Sequence, residues 1–247
     1  MPQSPFDDLR DVYEAMIDWP KRLSAEAAYL RPLFEEAGVK RLADVACGTG
    51  RHAAMFHGWG LDVLGLDISP AMIDRAKAAF GTPPGLRWAV QGFDQPAGEA
   101  GSYDAAVCLG NSLALAADIA SAQVALRNML TLVRPGGVVV VQVLNLWKLP
   151  DGPSVWQKVL RHQIAGQEAT IVKGVHRNGS IGWVEVIVIP QTGGPHHAQS
   201  IPFLGLTRDA LEAVAAEAGA TSRFHGNVKL DPYDPATSTD LIMIARR

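Results

Sequence analysis

An α/β fold built on a doubly wound, seven-stranded mixed sheet is what this 247-residue sequence predicts. Three observations predict it. The run Arg41-Leu42-Ala43-Asp44-Val45-Ala46-Cys47-Gly48-Thr49-Gly50 is apolar enough for a buried strand, and it ends in two glycines before a helix start at Arg51-His52-Ala53-Ala54. Strand-like and helix-like runs then alternate as far as Leu144, the pattern of parallel strands joined by crossover helices. Near the end, Thr221–Gly226 and Leu241–Ala245 read as two strands joined by the polar loop Lys229–Thr239, an antiparallel hairpin that closes the sheet. The sheet is therefore Rossmann-like, with an antiparallel β insertion after its fifth strand.

Taken in order, the residues up to about Val39 are helical. Leu30, Leu33 and Phe34 share a face, Ser24 is a candidate N-cap and Gly38 a candidate stop. Tyr13, Trp19 and Arg22 are the residues of this segment suited to closing over a ligand; the alternative is a helix packed on the core with Arg22 solvated. At the first strand's end, Gly48 and Gly50 supply positive φ and let the backbone approach a ligand that any Cβ would hold away. Helix 51–58 leads to strand 62–67, which ends in Asp67, placed to accept hydrogen bonds from both hydroxyls of a ribose. Ser69 and Pro70 cap and open helix 70–80.

Gly81-Thr82-Pro83-Pro84-Gly85 breaks the chain before a third strand, Leu86–Gln91, and Gly92-Phe93-Asp94-Gln95 follows at the same sheet edge. Tyr103–Leu109 is the fourth strand, ending in Gly110-Asn111-Ser112. Asn111 offers both donor and acceptor where ligands of open α/β sheets sit; alternatively it caps the next helix. Helix 119–133 carries Leu126, Met129, Leu130 and Val133 on one face. The buried fifth strand, Val138–Leu144, delivers Asn145, Trp147 and Lys148 to that edge.

From Pro150 to Leu206 the pattern changes. Gln167–His176 and Ile181–Ile189 alternate around Asn178-Gly179, a strong hairpin signal, and Ala198–Leu206 reads as a third strand. Three antiparallel strands make a flap over the carboxyl edge, with Trp156, Arg161, His162, His176 and Trp183 as pocket candidates. Thr207 then caps a helix bearing Leu211, Val214, Ala215 and Ala218, stopped by Gly219. The division is 1–40, a helical cover; 41–149 and 207–247, the core; 150–206, a flap forming the substrate pocket.

A net charge of −3 shows no basic bias and gives nucleic acid little support as a partner. The acidic start lacks the apolar core of a secretory signal, and no apolar run reaches membrane-spanning length. Two cysteines, Cys47 and Cys108, build no disulfide framework and fit a reducing cytoplasm. His196-His197 without a third ligand is no metal site. The expected partner is a small molecule, with neither nucleic acid nor membrane involved. The flap and the leading helices each offer a surface for a homo-oligomer.

Asp44 through Gly50, with Asp67 and Leu132-Val133-Arg134-Pro135-Gly136-Gly137 before a strand, resembles the class I S-adenosylmethionine-dependent methyltransferases. With Cys108-Leu109-Gly110-Asn111-Ser112 and Asp18-Trp19-Pro20-Lys21-Arg22-Leu23, the chain is similar to their glycine N-methyltransferase group. The resemblance implies S-adenosyl-L-methionine as cofactor and S-adenosyl-L-homocysteine as product. It places Gly48 and Gly50 at the cofactor, Asp67 at the ribose, Leu109 on the adenosine side, Phe93 and Asp94 near the adenine, Arg22 at the methionine carboxylate, and Asn111 and Asn145 at the acceptor. Tyr13, Trp19, Asp44, Ala46 and Ile68 complete its cofactor side. Asp44 suits a cofactor bearing an ammonium and a sulfonium. Residues 150–206 depart from the group's acceptor-binding segment, so the resemblance leaves the acceptor open.

The expected reaction is methyl transfer to a small-molecule acceptor by in-line displacement, with an amine favoured. A hydroxyl acceptor is the alternative, and His162 and His176 are its candidate general bases. Gly48-x-Gly50-x-x-Ala53 also satisfies the dinucleotide pattern of an NAD-dependent oxidoreductase. Asp44, which would repel a pyrophosphate, and the closing hairpin speak against that reading.

Overall fold

The computed structural model describes residues 12, 15–164 and 166–247. Helix α1 (Trp19–Glu36) starts with Pro20 in its first turn, and the Asp18 carboxylate accepts a hydrogen bond from the Lys21 N–H. Ser24, the expected cap, lies inside the helix. Strand and helix then alternate: β1 (Arg41–Val45), α2 (Arg51–Gly58), β2 (Asp62–Asp67), α3 (Pro70–Phe80), β3 (Leu86–Val90), β4 (Tyr103–Cys108), α4 (Ile119–Leu132) and β5 (Val133–Leu144). After the flap, β6 (Val155–Ile164), β7 (Gln167–Asn178), β8 (Ile181–Pro190) and β9 (His197–Leu204), come α5 (Arg208–Glu217), β10 (Thr221–His225) and β11 (Asp240–Arg246).

The main sheet has the order β10-β11-β5-β4-β1-β2-β3. Strands β1 to β5 are parallel, whereas β11 runs antiparallel to β5 with Ile242 opposite Gln142 and pairs antiparallel with β10. Strand β5 shows how the layers form. Val138 and Val140 pack towards Leu30 and Phe34 of α1 and Phe56 of α2, and Val139, Val141 and Val143 towards Leu126 and Leu130 of α4 and Leu211 of α5. Apolar side chains on both faces of one strand require helices on both faces of the sheet. Chain order reverses between β1 and β4, and crevices at such a reversal are where open α/β sheets bind ligands.

The insertion is a four-stranded antiparallel sheet, β6-β7-β8-β9, one strand more than the alternation predicts. Strand β6 lies on its edge with most side chains exposed, so its sequence carries no apolar alternation to read. Asn178-Gly179 does form the predicted hairpin, with Asn178 opposite Ile181. On one flap face, Ile171, Val186 and Ile201 pack with Val12 and Met16 and reach Leu115. That small core fixes the flap and the residues leading into α1 beside the carboxyl edge. Trp147 ties the other end, its indole N–H donating to the Leu206 carbonyl at 3.1 Å. Among the described residues, no helix is long and apolar enough to cross a membrane.

Candidate active site

A cavity of about 420 Å³ opens at the carboxyl ends of β1 to β4. Its floor is the turn after β1. Ala46 and Gly48 both adopt positive φ (60° and 55°), and both line the cavity. A Cβ built on Gly48 meets nothing within 4 Å, so the cavity is open above that backbone. Gly50 has another task. Its Cβ would stand 2.6 Å from the Trp88 ring and 2.8 Å from Ala76, so this glycine lets α2 approach α3 and β3 and does not face the cavity. Of the two glycines expected at the cofactor, Gly48 lines the cavity and Gly50 packs behind it.

Asp67 ends β2 on the cavity wall beside Ile68. Its two oxygens accept backbone hydrogen bonds, one from the Gly48 N–H at 2.8 Å and one from the Ser69 N–H at 2.9 Å. The carboxylate is thereby held in one orientation on the cavity wall. Phe93, Asp94 and Leu109 stand on the wall, and Asn128 steadies that loop by donating to the Phe93 carbonyl at 3.1 Å.

Asp44 does not line the cavity. It is 2% exposed beneath the glycine turn, and burial pushes its carboxyl up to about 7 despite nearby His52 and a hydrogen bond from the Ala53 N–H. The acid expected on the cofactor side thus lies one layer below the cavity floor.

Trp19 and Arg22 do close the cavity from α1. The Arg22 guanidinium lies 5.3 Å from the Trp19 ring centroid, and the His52 ring meets the same indole edge-on at 5.8 Å. His52, also in the lining, is a residue the sequence reading missed, as is Glu26 behind it. Glu26 is 1% exposed; one oxygen sits 2.6 Å from His52 Nε2 and the other accepts from Arg22 Nε at 3.1 Å. The spacing of Arg22 and Glu26, one helical turn, was visible in the sequence, but nothing there pointed to His52 as their partner. Tyr13 lies outside the described residues.

The four candidates for chemistry are not brought to this cavity. Asn111, at φ 73°, accepts from the Leu144 N–H at 2.9 Å and donates its own N–H to the Gln142 carbonyl, stitching the turn after β4 to β5. Asn145 is 4% exposed. Its amide donates to the carbonyls of Pro235 and Ser238 and its oxygen accepts from the Tyr233 hydroxyl, which anchors the loop before β11. His162 is exposed on edge strand β6. His176 stacks on Trp183 at 4.9 Å, beside Glu185, on the flap face opposite Ile171 and Val175. The Asn111 side-chain oxygen and both ends of the Asn145 amide thus have protein partners brought to them from distant parts of the chain.

Residues 42–137 match the methyltransferase domain family. Glycine N-methyltransferase of Oryctolagus cuniculus is 30% identical over 228 residues, 79% of this chain and 77% of that enzyme. Glycine N-methyltransferase of Rattus norvegicus is 32% identical over 162 residues, 57% of this chain and 55% of that enzyme, so the chain spans about half the length of such relatives. Among solved structures, a SAM-bound amino pentose methyltransferase from Micromonospora echinaspora superposes with a TM-score of 0.74 at 25% identity, covering 96% of each chain. Fold, glycine turn and these likenesses together define a class: the chain belongs to the class I S-adenosylmethionine-dependent methyltransferases. Within that class, its similarity is to glycine N-methyltransferases and to an amino-sugar enzyme.

Proposed function

We propose that this chain transfers a methyl group from S-adenosyl-L-methionine to the amine nitrogen of a small molecule. The observation that carries the reading is the cavity wall on which Asp67, oriented by Gly48 and Ser69, faces space above a glycine with no Cβ. The residues present fit the cofactor. Asp67 accepts from ribose hydroxyls, Phe93, Leu109 and Met72 offer apolar contact to a purine, Asp94 accepts from its amine, and Arg22 receives a carboxylate. When bound, the cofactor supplies an electrophilic methyl group on sulfur. The chain's task is then to align an acceptor with that methyl and to exclude water. Trp19, Arg22 and Leu115 shield the cavity, and Leu115 packs on the flap core.

An amine entering as its free base needs no general base. The two histidines expected to serve hydroxyl chemistry stand outside the cavity, and His52 within it is engaged with Glu26. This favours nitrogen over oxygen as the acceptor. The dinucleotide alternative is set aside by the family and by the antiparallel closing strand, which a wholly parallel dinucleotide-binding sheet lacks. The proposal includes a small-molecule acceptor in the cytoplasm, glycine-like or an amino sugar, with a homo-oligomer as the assembly to test.

Calorimetric titration with S-adenosylmethionine, S-adenosylhomocysteine and NAD tests the cofactor. Binding of the two adenosyl compounds with NAD silent is the expected result, and binding of NAD alone would overturn the reading. A panel of amino acids, amino sugars and hydroxylated analogues, followed by release of S-adenosylhomocysteine, then tests the acceptor. Turnover confined to hydroxyl compounds would reverse the choice of nitrogen.

A further inference from the structure

We infer that Glu26 is a positioning residue, a buried carboxylate that locks Arg22 and His52 into the geometry that receives the cofactor's amino-acid end. This inference rests on the cofactor reading proposed above. Glu26 does not line the cavity, yet both of its partners do. Arg22 is on α1 and His52 on α2, so one carboxylate joins the cover helix to the helix that follows the glycine turn. With one oxygen on each partner, at 3.1 and 2.6 Å, neither side chain can swing without stranding a charge in the interior.

The electrostatics agree with that geometry. Burial by itself would raise the Glu26 carboxyl; the hydrogen bonds and charges of His52 and Arg22 outweigh it and hold the group below the usual carboxylate range. Glu26 is thus ionised, an acceptor on both oxygens, and His52 Nε2 is the donor. Arginine brings a long, rotamer-rich stem, and an anchored Nε fixes the plane of the guanidinium before a ligand arrives. Its Nη2 lies over Gly110, where a Cβ would stand 2.9 Å away, so the bare Gly110 backbone in the cavity lining makes room for the anchored group. An arginine fixed through its Nε and set in the cavity lining is suited to a carboxylate.

The test compares two ligands that differ only at the end in question. S-adenosylhomocysteine carries the amino-acid group and 5′-methylthioadenosine lacks it. Glu26→Gln keeps the shape but replaces an acceptor by an amide N–H facing a donor. The expected result is a loss of about tenfold or more in affinity for S-adenosylhomocysteine, with 5′-methylthioadenosine binding nearly unchanged. Glu26→Asp, which keeps a buried charge but is too short to span both partners, should show a smaller loss with the same selectivity and guards against misfolding of the first variant. In a cycle with Arg22→Ala, the two losses should be less than additive. Equal weakening of both ligands, no weakening in either variant, or full additivity would overturn the role of Glu26. A wild-type protein that binds neither adenosyl compound would instead overturn the cofactor reading.

Discussion

The Asp67 carboxylate and the Gly48 N–H are joined by a 2.8 Å hydrogen bond, so the end of β2 and the turn after β1 form one rigid edge of the cavity. The bond explains why the acid and the glycine occur together. Gly48 places its N–H by adopting φ 55°, and the bond fixes the orientation of the Asp67 carboxylate. Asp67→Ala should weaken S-adenosylhomocysteine binding by about 1–3 kcal/mol, read by calorimetry. Unchanged affinity would remove Asp67 from the ribose.

The two glycines of the turn should separate in their effects. Gly50→Ala forces a Cβ into Trp88 and Ala76 at φ 80° and should destabilise the fold by about 2–4 kcal/mol, seen in denaturant melts. Gly48→Ala meets no neighbour, so its loss of stability should stay near 1 kcal/mol, while cofactor affinity falls as the methyl enters the cavity. Equal stability losses with no change in affinity for Gly48→Ala would refute this division.

Asp44 gives the protein a pH signature. The folded chain holds this proton up to about pH 7, whereas in the unfolded chain the group titrates near its ordinary 3.8. Between those values the native state binds more protons, so this group lowers stability as pH rises, and the loss is complete above pH 7. Asp44→Asn removes the slope and still accepts from the Ala53 N–H. Its stability relative to wild type should therefore grow by about 2–4 kcal/mol between pH 4 and pH 7 and level off above. Glu26, held low by His52 and Arg22, contributes the opposite slope at lower pH in both proteins and cancels in the difference. A pH-independent difference would contradict a buried, protonated Asp44.

Asn145 should behave as scaffold. Removing its side chain leaves the Pro235 and Ser238 carbonyls and the Tyr233 hydroxyl without their partner, and Asn145→Ala should reduce stability by about 2–4 kcal/mol. Cofactor affinity should be unchanged, since Asn145 does not line the cavity. A stable variant that fails only in turnover would return Asn145 to the acceptor.

The sequence by itself determined the parallel sheet, the glycine turn, Asp67 at the end of its strand, the closing hairpin and the cover helix carrying Trp19 and Arg22. Each is local: strand period, a glycine at positive φ, a cap, a residue at a strand end. Edge strand β6 escaped because an exposed edge imposes no apolar period. For Asn111 and Asn145, sequence places a residue at an edge without showing what its amide binds. Only the tertiary structure decided that Gly48 faces the cavity while Gly50 faces Trp88, and that Asp44 lies one layer below. It also joined Glu26 to His52, 26 positions apart. Such pairings depend on how helices α1 and α2 pack over one sheet face, a long-range outcome that no local pattern encodes.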